Sequence, residues 1–388
     1  MLFRKLQASF RQPLVAVALA AVFVPALRAQ GAGTVRVLEL QGTPFERGLQ
    51  HGTALQKEIA LMLERWDQEL QREHHLALGA FVERFLAATK YEAATRRWLP
   101  EMLDEVRGIA TGAEQPYATM LAWQLVDEVW AQAPSILREK CTSVGVDRHG
   151  DQPTIVAQNL DVPQWYHGYQ TVLRVRDEAR GLQQLIVTIP GLVAAAGMNS
   201  ARVAVACNTL LQLRPCRDGL PVAFVVRGLL AQPDHAAALA FLRRITHASG
   251  QNYTVGGPAT APGFECSAGK VVQYVPYPEA TFTWHTNHPV VNDDFVAGYR
   301  ERARSAGFDP FVGMRPCPRF EVCKRHLPAG TLPDVAAVKA LLACRDGAPS
   351  VCNDSTYACL VMLLGDVPEL HVSKGASDRA PFVVLRFE

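Results

Sequence analysis

The sequence predicts a layered α+β protein in which a helical first part gives way to a strand-rich second part at Cys141. Between about 43 and 133, apolar residues recur at three- and four-residue steps, the stripe of amphipathic helices. From Cys141 onward, short runs rich in β-branched residues are separated by turn formers, the texture of strands. Strands and helices then come in runs, which favours a layered α+β fold over alternating βαβ units.

The elements follow in order. Thr43-Pro44-Phe45-Glu46 is a capping box with proline at the first helical position. Ile59, Leu63, Trp66 and Leu70 continue one apolar stripe, Phe81, Phe85 and Leu86 mark another helix, and two more are read over 98–110 and 120–130. No strand is read in this stretch. After the switch, strands are expected at 142–146, 154–157, 171–175, 184–189, 193–197 and 202–207. Helices are expected at 222–231 and 235–247, and strands at 252–256, 271–275 and 281–285. Helices near 294–304 and 334–342 and strands near 357–363 and 382–387 complete the chain.

The chain has 388 residues, 49% of them hydrophobic, and a formal charge of +2. That is enough to bury a large core, and it offers no electrostatic footprint for nucleic acid or an anionic membrane. Residues 1–29 stand apart. Arg4, Lys5 and Arg11 precede an apolar run from Pro13 to Leu27 with small residues at Ala26 and Ala29, which describes a secretory signal peptide cleaved after Ala29, with Ala26 as the alternative cut and a retained signal anchor as the other reading. The expected organisation is a signal peptide over 1–29, a helical part over 30–140 and a strand-rich part over 141–388, in a secreted or periplasmic protein.

Export makes the nine cysteines candidates for disulfides. Short separations suggest Cys207 with Cys216, Cys317 with Cys323, and Cys344 with Cys352. Cys266 and Cys359 are left over and could pair only if the fold brings them together, and because nine is odd at least one thiol should be free. There is no C-x-x-C, and His285 and His288 have no third ligand in view, so neither a metal nor any other cofactor is expected.

The chemistry concentrates at Lys140-Cys141-Thr142-Ser143 and at Gln158-Asn159-Leu160-Asp161. A cysteine at the start of a strand is commonly a small hydrophobe. Here it lies at the helix-to-strand switch, with Asn159 and Asp161 one hairpin away. The two motifs, with Gly42-Thr43-Pro44-Phe45-Glu46-Arg47-Gly48, His51-Gly52, Gly197-Met198-Asn199-Ser200, Asn208 and His285-Thr286-Asn287-His288, follow one another along most of the mature chain. In this order they resemble the acyl-coenzyme A:isopenicillin-N acyltransferase family of self-processing N-terminal-nucleophile hydrolases.

The resemblance implies a four-layer αββα fold and autocatalytic cleavage before Cys141 into associated fragments. Cys141 would then be the nucleophile, with its own α-amine as base. Asp161 would orient that amine or hold the cysteine. Asn287 would donate to the oxyanion, a contact whose loss costs on the order of 3 kcal/mol. Asn159 would satisfy backbone groups. The implied partner is a small-molecule amide, with an acyl thioester or an amine as further reactant. Lys140 stands where relatives usually carry glycine, and Ser350-Val351-Cys352-Asn353 runs directly into Asp354, which implies a different substrate pocket. Two other readings stay open. One is a lipid amidase resembling acid ceramidase, although Gln158 stands where those enzymes typically carry arginine. The other is a non-catalytic amide-binding relative.

Overall fold

A computed structural model describes residues 35–132, 141–307 and 317–388. The expected signal peptide and Lys140 lie outside the described residues. Strand β1 (Arg36–Leu40) comes first, in a part read from sequence as helical. Helices α1 (Pro44–Ala54), α2 (Gln56–His74), α3 (Leu78–Ala87), α4 (Tyr91–Trp98), α5 (Pro100–Gly112), α6 (Tyr117–Trp123) and α7 (Val126–Gln132) follow. Thr43 caps α1 as its motif predicts. Its hydroxyl accepts the Glu46 N–H, and the Glu46 carboxylate accepts the Thr43 N–H at 2.8 Å.

The glycines of the opening motif have a packing purpose. Gly48 and Gly52 on α1 meet Gly108 and Gly112 on α5 backbone to backbone. A Cβ at Gly48 would lie 2.0 Å from the Glu105 carbonyl oxygen, and one at Gly108 would lie 2.1 Å from that of Phe45. Beside this crossing, the buried Arg227 guanidinium donates to both Glu105 carboxylate oxygens at 2.5 and 2.8 Å, joining α5 to a helix of the second part. The bidentate geometry supplies the attraction that offsets burying both charges. His51 accepts the Gly191 N–H at 3.1 Å, a second tie between the parts.

The second part contains β2 (Thr142–Val146), β3 (Ile155–Asp161), β4 (Thr171–Asp177), β5 (Leu182–Thr188), β6 (Ala196–Asn199) and β7 (Ala204–Thr209). Then come α8 (Val222–Leu230), α9 (His235–Arg244), β8 (Gln251–Gly256), β9 (Gly263–Cys266), β10 (Val271–Tyr274), β11 (Phe282–His285) and α10 (Tyr299–Ser305). Helices α11 (Pro318–His326) and α12 (Val335–Leu342) and strands β12 (Thr356–Leu363), β13 (Glu369–Ser373) and β14 (Phe382–Arg386) close the chain. The strands form two sheets, ordered β1-β4-β5-β6-β7-β8-β9-β10 and β11-β2-β3-β12-β13-β14. All pairings are antiparallel except β1 with β4, which is parallel.

Side-chain alternation along β2 and β3 shows what each face meets. Ser143 on β2 and Gln158 on β3 face the first sheet. The Ser143 hydroxyl donates to Asn208 at 2.6 Å, and the Gln158 amide donates to the Cys207 carbonyl at 2.6 Å. Val144, Val146, Ile155 and Ala157 point the other way and pack in one cluster with Val322, Leu327, Val338 and Leu341 of the α11–α12 region. Helices α8 and α9 pack against the first sheet. The fold is therefore mixed α and β with two sheets in face contact, as the α+β prediction requires.

Besides β1, the sequence reading omits α4, β9, β13 and α11, and it reads α6 and α7 as one helix. β9 carries Glu265, a residue depleted in strands. Its buried carboxylate accepts the N–H groups of Val290, Val291 and Asn292. The cysteine expectation is corrected: all nine are free thiols. The Cys207 sulfur lies 3.6 Å from the Ala195 carbonyl, and that of Cys216 lies 3.2 Å from the His247 carbonyl. Cys352 is turned to Asp378, and Cys317 to Thr286. Closeness in sequence does not aim these side chains at one another. Cys266 and Cys359 sit on different sheets. Among the described residues, no helix is long and apolar enough to cross a membrane.

Candidate active site

Strand register brings the predicted residues together. β11 pairs antiparallel with β2, His285 opposite Ser143, so two further steps bring Asn287 level with Cys141. β2 pairs with β3, Thr142 opposite Asn159, so Cys141 and the end of β3 at Asp161 also meet. Cys141, Asp161 and Asn287 line one pocket at this end of the second sheet, where it faces the first. About 920 Å3 of empty space lies within the pocket, open solvent included. Its walls are mainly apolar, with Leu160, Val162, Tyr166, Ile189 and Leu192 contributing.

The Cys141 sulfur lies 3.7 Å from the Asp161 carbonyl oxygen. Burial, reinforced by the Asp161 charge, pushes its thiol up to about 12. With Cys141 still joined to Lys140, the sulfur is thus a protonated, poor nucleophile at neutral pH. The Asp161 carboxylate accepts the Asn353 side-chain N–H at 2.8 Å. Asn287 donates one amide N–H to the Thr209 carbonyl at 3.0 Å, and its backbone carbonyl accepts from Gln212 at 3.3 Å.

Arg319 was not among the predicted residues, yet it holds the site together. From the first turn of α11 it donates to the Cys141 carbonyl at 2.7 Å, the Thr142 hydroxyl at 3.0 Å and the Asn287 side-chain oxygen at 3.0 Å. A donor at that oxygen fixes which end of the amide is nitrogen. One Asn287 N–H is then left over from the Thr209 bond. No motif near Arg319 signals this role, because the contact is made across a long sequence separation. Asn353 is missed for the same reason.

The remaining motif residues have structural partners. The Asn159 side chain points away from the pocket and donates to the Leu342 and Val351 carbonyls at 2.8 and 2.9 Å, steadying the segment that brings Asn353 to Asp161. Gln158 both donates to and accepts from the Cys207 backbone, tying the sheets. His285 bonds the buried Glu265 carboxylate at 2.8 Å, and His288 lies 3.0 Å from the Thr286 hydroxyl. Among the described residues, no group of three or more histidine, cysteine or acidic side chains is placed to hold a metal.

A buried cysteine, a carboxylate and an amide donor at the mouth of an apolar pocket define a candidate thiol-centred acyl-transfer site. The family model described as acyl-coenzyme A:6-aminopenicillanic acid acyl-transferase matches residues 148–305 of this chain. The match supports the family resemblance carried by the motifs, and with it an enzyme of the acyltransferase and amidohydrolase class acting on small molecules. The matched span contains Asp161 and Asn287 and begins downstream of Cys141.

Proposed function

We propose that this protein is a cysteine amidohydrolase or acyltransferase that activates itself by cleaving the peptide bond before Cys141. The observation that carries the reading is the convergence of Cys141, Asp161 and Asn287 at one pocket on adjoining strand ends. In the first step the Cys141 sulfur attacks the Lys140 carbonyl carbon and displaces its own amide nitrogen. The thiol proton passes to that nitrogen, which becomes the free α-amine, and water then hydrolyses the thioester, releasing the thiol and the Lys140 carboxylate. That amine, with an ordinary pKa near 8, takes the thiol proton and supplies the base that the uncut chain lacks.

The thiolate then attacks the carbonyl carbon of a bound amide. The oxyanion accepts a hydrogen bond from the Asn287 side-chain nitrogen, Asp161 orients the α-amine, and the proton passes to the departing nitrogen as the C–N bond breaks. Water hydrolyses the thioester in a hydrolase, while an amine accepts the acyl group in a transferase. The scheme uses no cofactor. The contacts of α8 and α9 with one sheet and of α11 and α12 with the other support a four-layer αββα reading. The Arg227–Glu105 and His51–Gly191 ties support continued association of the two fragments. We also propose export, on the strength of residues 1–29. The apolar walls suit a bulky or long acyl group, the feature that keeps a lipid amide among candidate substrates.

The test is the intact mass of the purified protein and the N-terminal sequence of any fragments. A chain beginning at Cys141, absent when Cys141→Ala is expressed, is the expected result. Cleavage of the alanine variant at the same bond would assign the cut to another protease and remove the proposal.

A further inference from the structure

The pocket in front of Cys141 has an electrostatic character that amide cleavage alone does not require. Among the described residues lining it, every formally charged side chain is a carboxylate: Asp161, with its place in the thiol chemistry, and Asp127 on α7. Asp127 is half-buried and accepts the Thr209 hydroxyl at 2.9 Å. Trp130 on the same helix lines the pocket with Tyr166, the rings edge to face with centroids 6.4 Å apart. Arg319, the guanidinium at this site, is directed at the Cys141 carbonyl, Thr142 and Asn287. Aromatic faces and a carboxylate set in apolar walls attract a cation and repel an anion, because low-dielectric surroundings screen the charge weakly.

We infer that this pocket selects amides that combine an apolar acyl group with a cationic substituent and disfavours anionic ones, with Asp127 as the specificity-determining residue and Trp130 as its aromatic partner. The inference deepens the amidase reading and rests on it. It also separates this chain's substrate from 6-aminopenicillanic acid, the carboxylate-bearing amine in the description of the matched family.

Two measurements test it on the full, purified protein. The first needs no turnover. Cys141 is modified with methanethiosulfonates carrying a trimethylammonium, a methyl or a sulfonate group. Each rate is divided by that of a small free thiol, and the site is read by peptide mapping so that Cys207 is scored separately. The cationic reagent should be favoured over the anionic one by about tenfold or more, and Asp127→Asn should remove most of that ratio. Trp130→Leu, which keeps apolar bulk, should lower it by a smaller factor. The second compares kcat/KM for decanoyl amides of ethylenediamine, glycinamide and glycine. The expected order is cationic, neutral, anionic, with Asp127→Asn compressing the spread. A purely positional role for Asp127, acting through Thr209, would lower all three alike. Equal reagent rates, or a ratio unchanged in Asp127→Asn, overturn the inference. Charge-selective labelling without turnover of any amide would instead overturn the amidase reading and leave the charge preference standing.

Discussion

Arg319 and Asn287 are joined by a buried hydrogen bond of 3.0 Å from the guanidinium to the amide oxygen, and the same guanidinium holds the Cys141 carbonyl. One side chain therefore sets both the amide that would meet the oxyanion and the backbone that carries the sulfur. Lysine keeps the charge but cannot span these acceptors with a rigid fork. In processed protein, Arg319→Lys should lower kcat about a hundredfold, the scale of losing an oxyanion donor, with KM changed far less. Steady-state kinetics on one amide checks this. An unchanged kcat would show that the Thr209 carbonyl alone is enough to hold Asn287.

The α1–α5 crossing should tolerate no side chain. Gly48→Ala would force the helices apart, because the added Cβ falls 2.0 Å from a backbone oxygen that cannot turn away. A loss of about 1–3 kcal/mol or more is expected, as for overpacked cores. Gly79→Ala is the control: it lies in α3 with nothing within 4 Å of the added carbon, so stability should hold or rise slightly. Denaturant melts of the two variants give the comparison.

Acid should destabilise the fold before carboxylates titrate. Burial holds His51 and His247 at about 4 and His288 at about 3, against 6.5 for an unperturbed histidine. Between pH 6.5 and 4 the unfolded chain takes up these protons while the folded chain refuses them, so their contribution is present above 6.5 and lost as pH falls. Glu128 acts in the opposite sense: burial raises it to about 8, so its contribution is greatest in acid and declines from pH 4.5 towards 8. Three groups outweigh one, and unfolding free energy should fall from pH 6.5 to 4.5. His51→Gln should flatten that slope by about one proton. Urea titrations at several pH values would show the opposite trend if these histidines were charged in the fold.

Nine free thiols make a simple chemical prediction. Denatured without reductant, the protein should titrate nine thiols, and its melting temperature should not respond to added reductant. Fewer than nine thiols in freshly purified protein would show a bridge that the fold described above lacks.

Helix α2 was legible because it buries a single face whose period is written into the sequence, whereas β2 and β3, buried on both faces, were legible as β-branched runs between turn formers. Cys141, Asp161 and Asn287 were named by short motifs shared with the family the sequence resembles, and they sit at or just beyond the ends of neighbouring strands. Arg319 and Asn353 were not, since each reaches the site from a distant segment and is surrounded by residues with no matching pattern. The disulfide expectation failed because separation along the chain says nothing of where a sulfur points. Cys207 and Cys216 lie nine positions apart, but their sulfurs approach different carbonyls, those of Ala195 and His247.

The parallel ladder between β1 and β4 has a consequence for solubility. Arg36 pairs with Thr171 and Leu40 with Val175, and β1 is the outermost strand of its sheet. Take β1 away, and β4 shows a row of open backbone donors and acceptors along a strand that is itself largely buried. Such an edge is a template for joining other chains. The first segment to be translated after residue 34 is thus a guard strand for one that emerges much later. Residues 141–388 made alone should be recovered as aggregate, and supplying residues 35–132 as a separate polypeptide during refolding should restore soluble material.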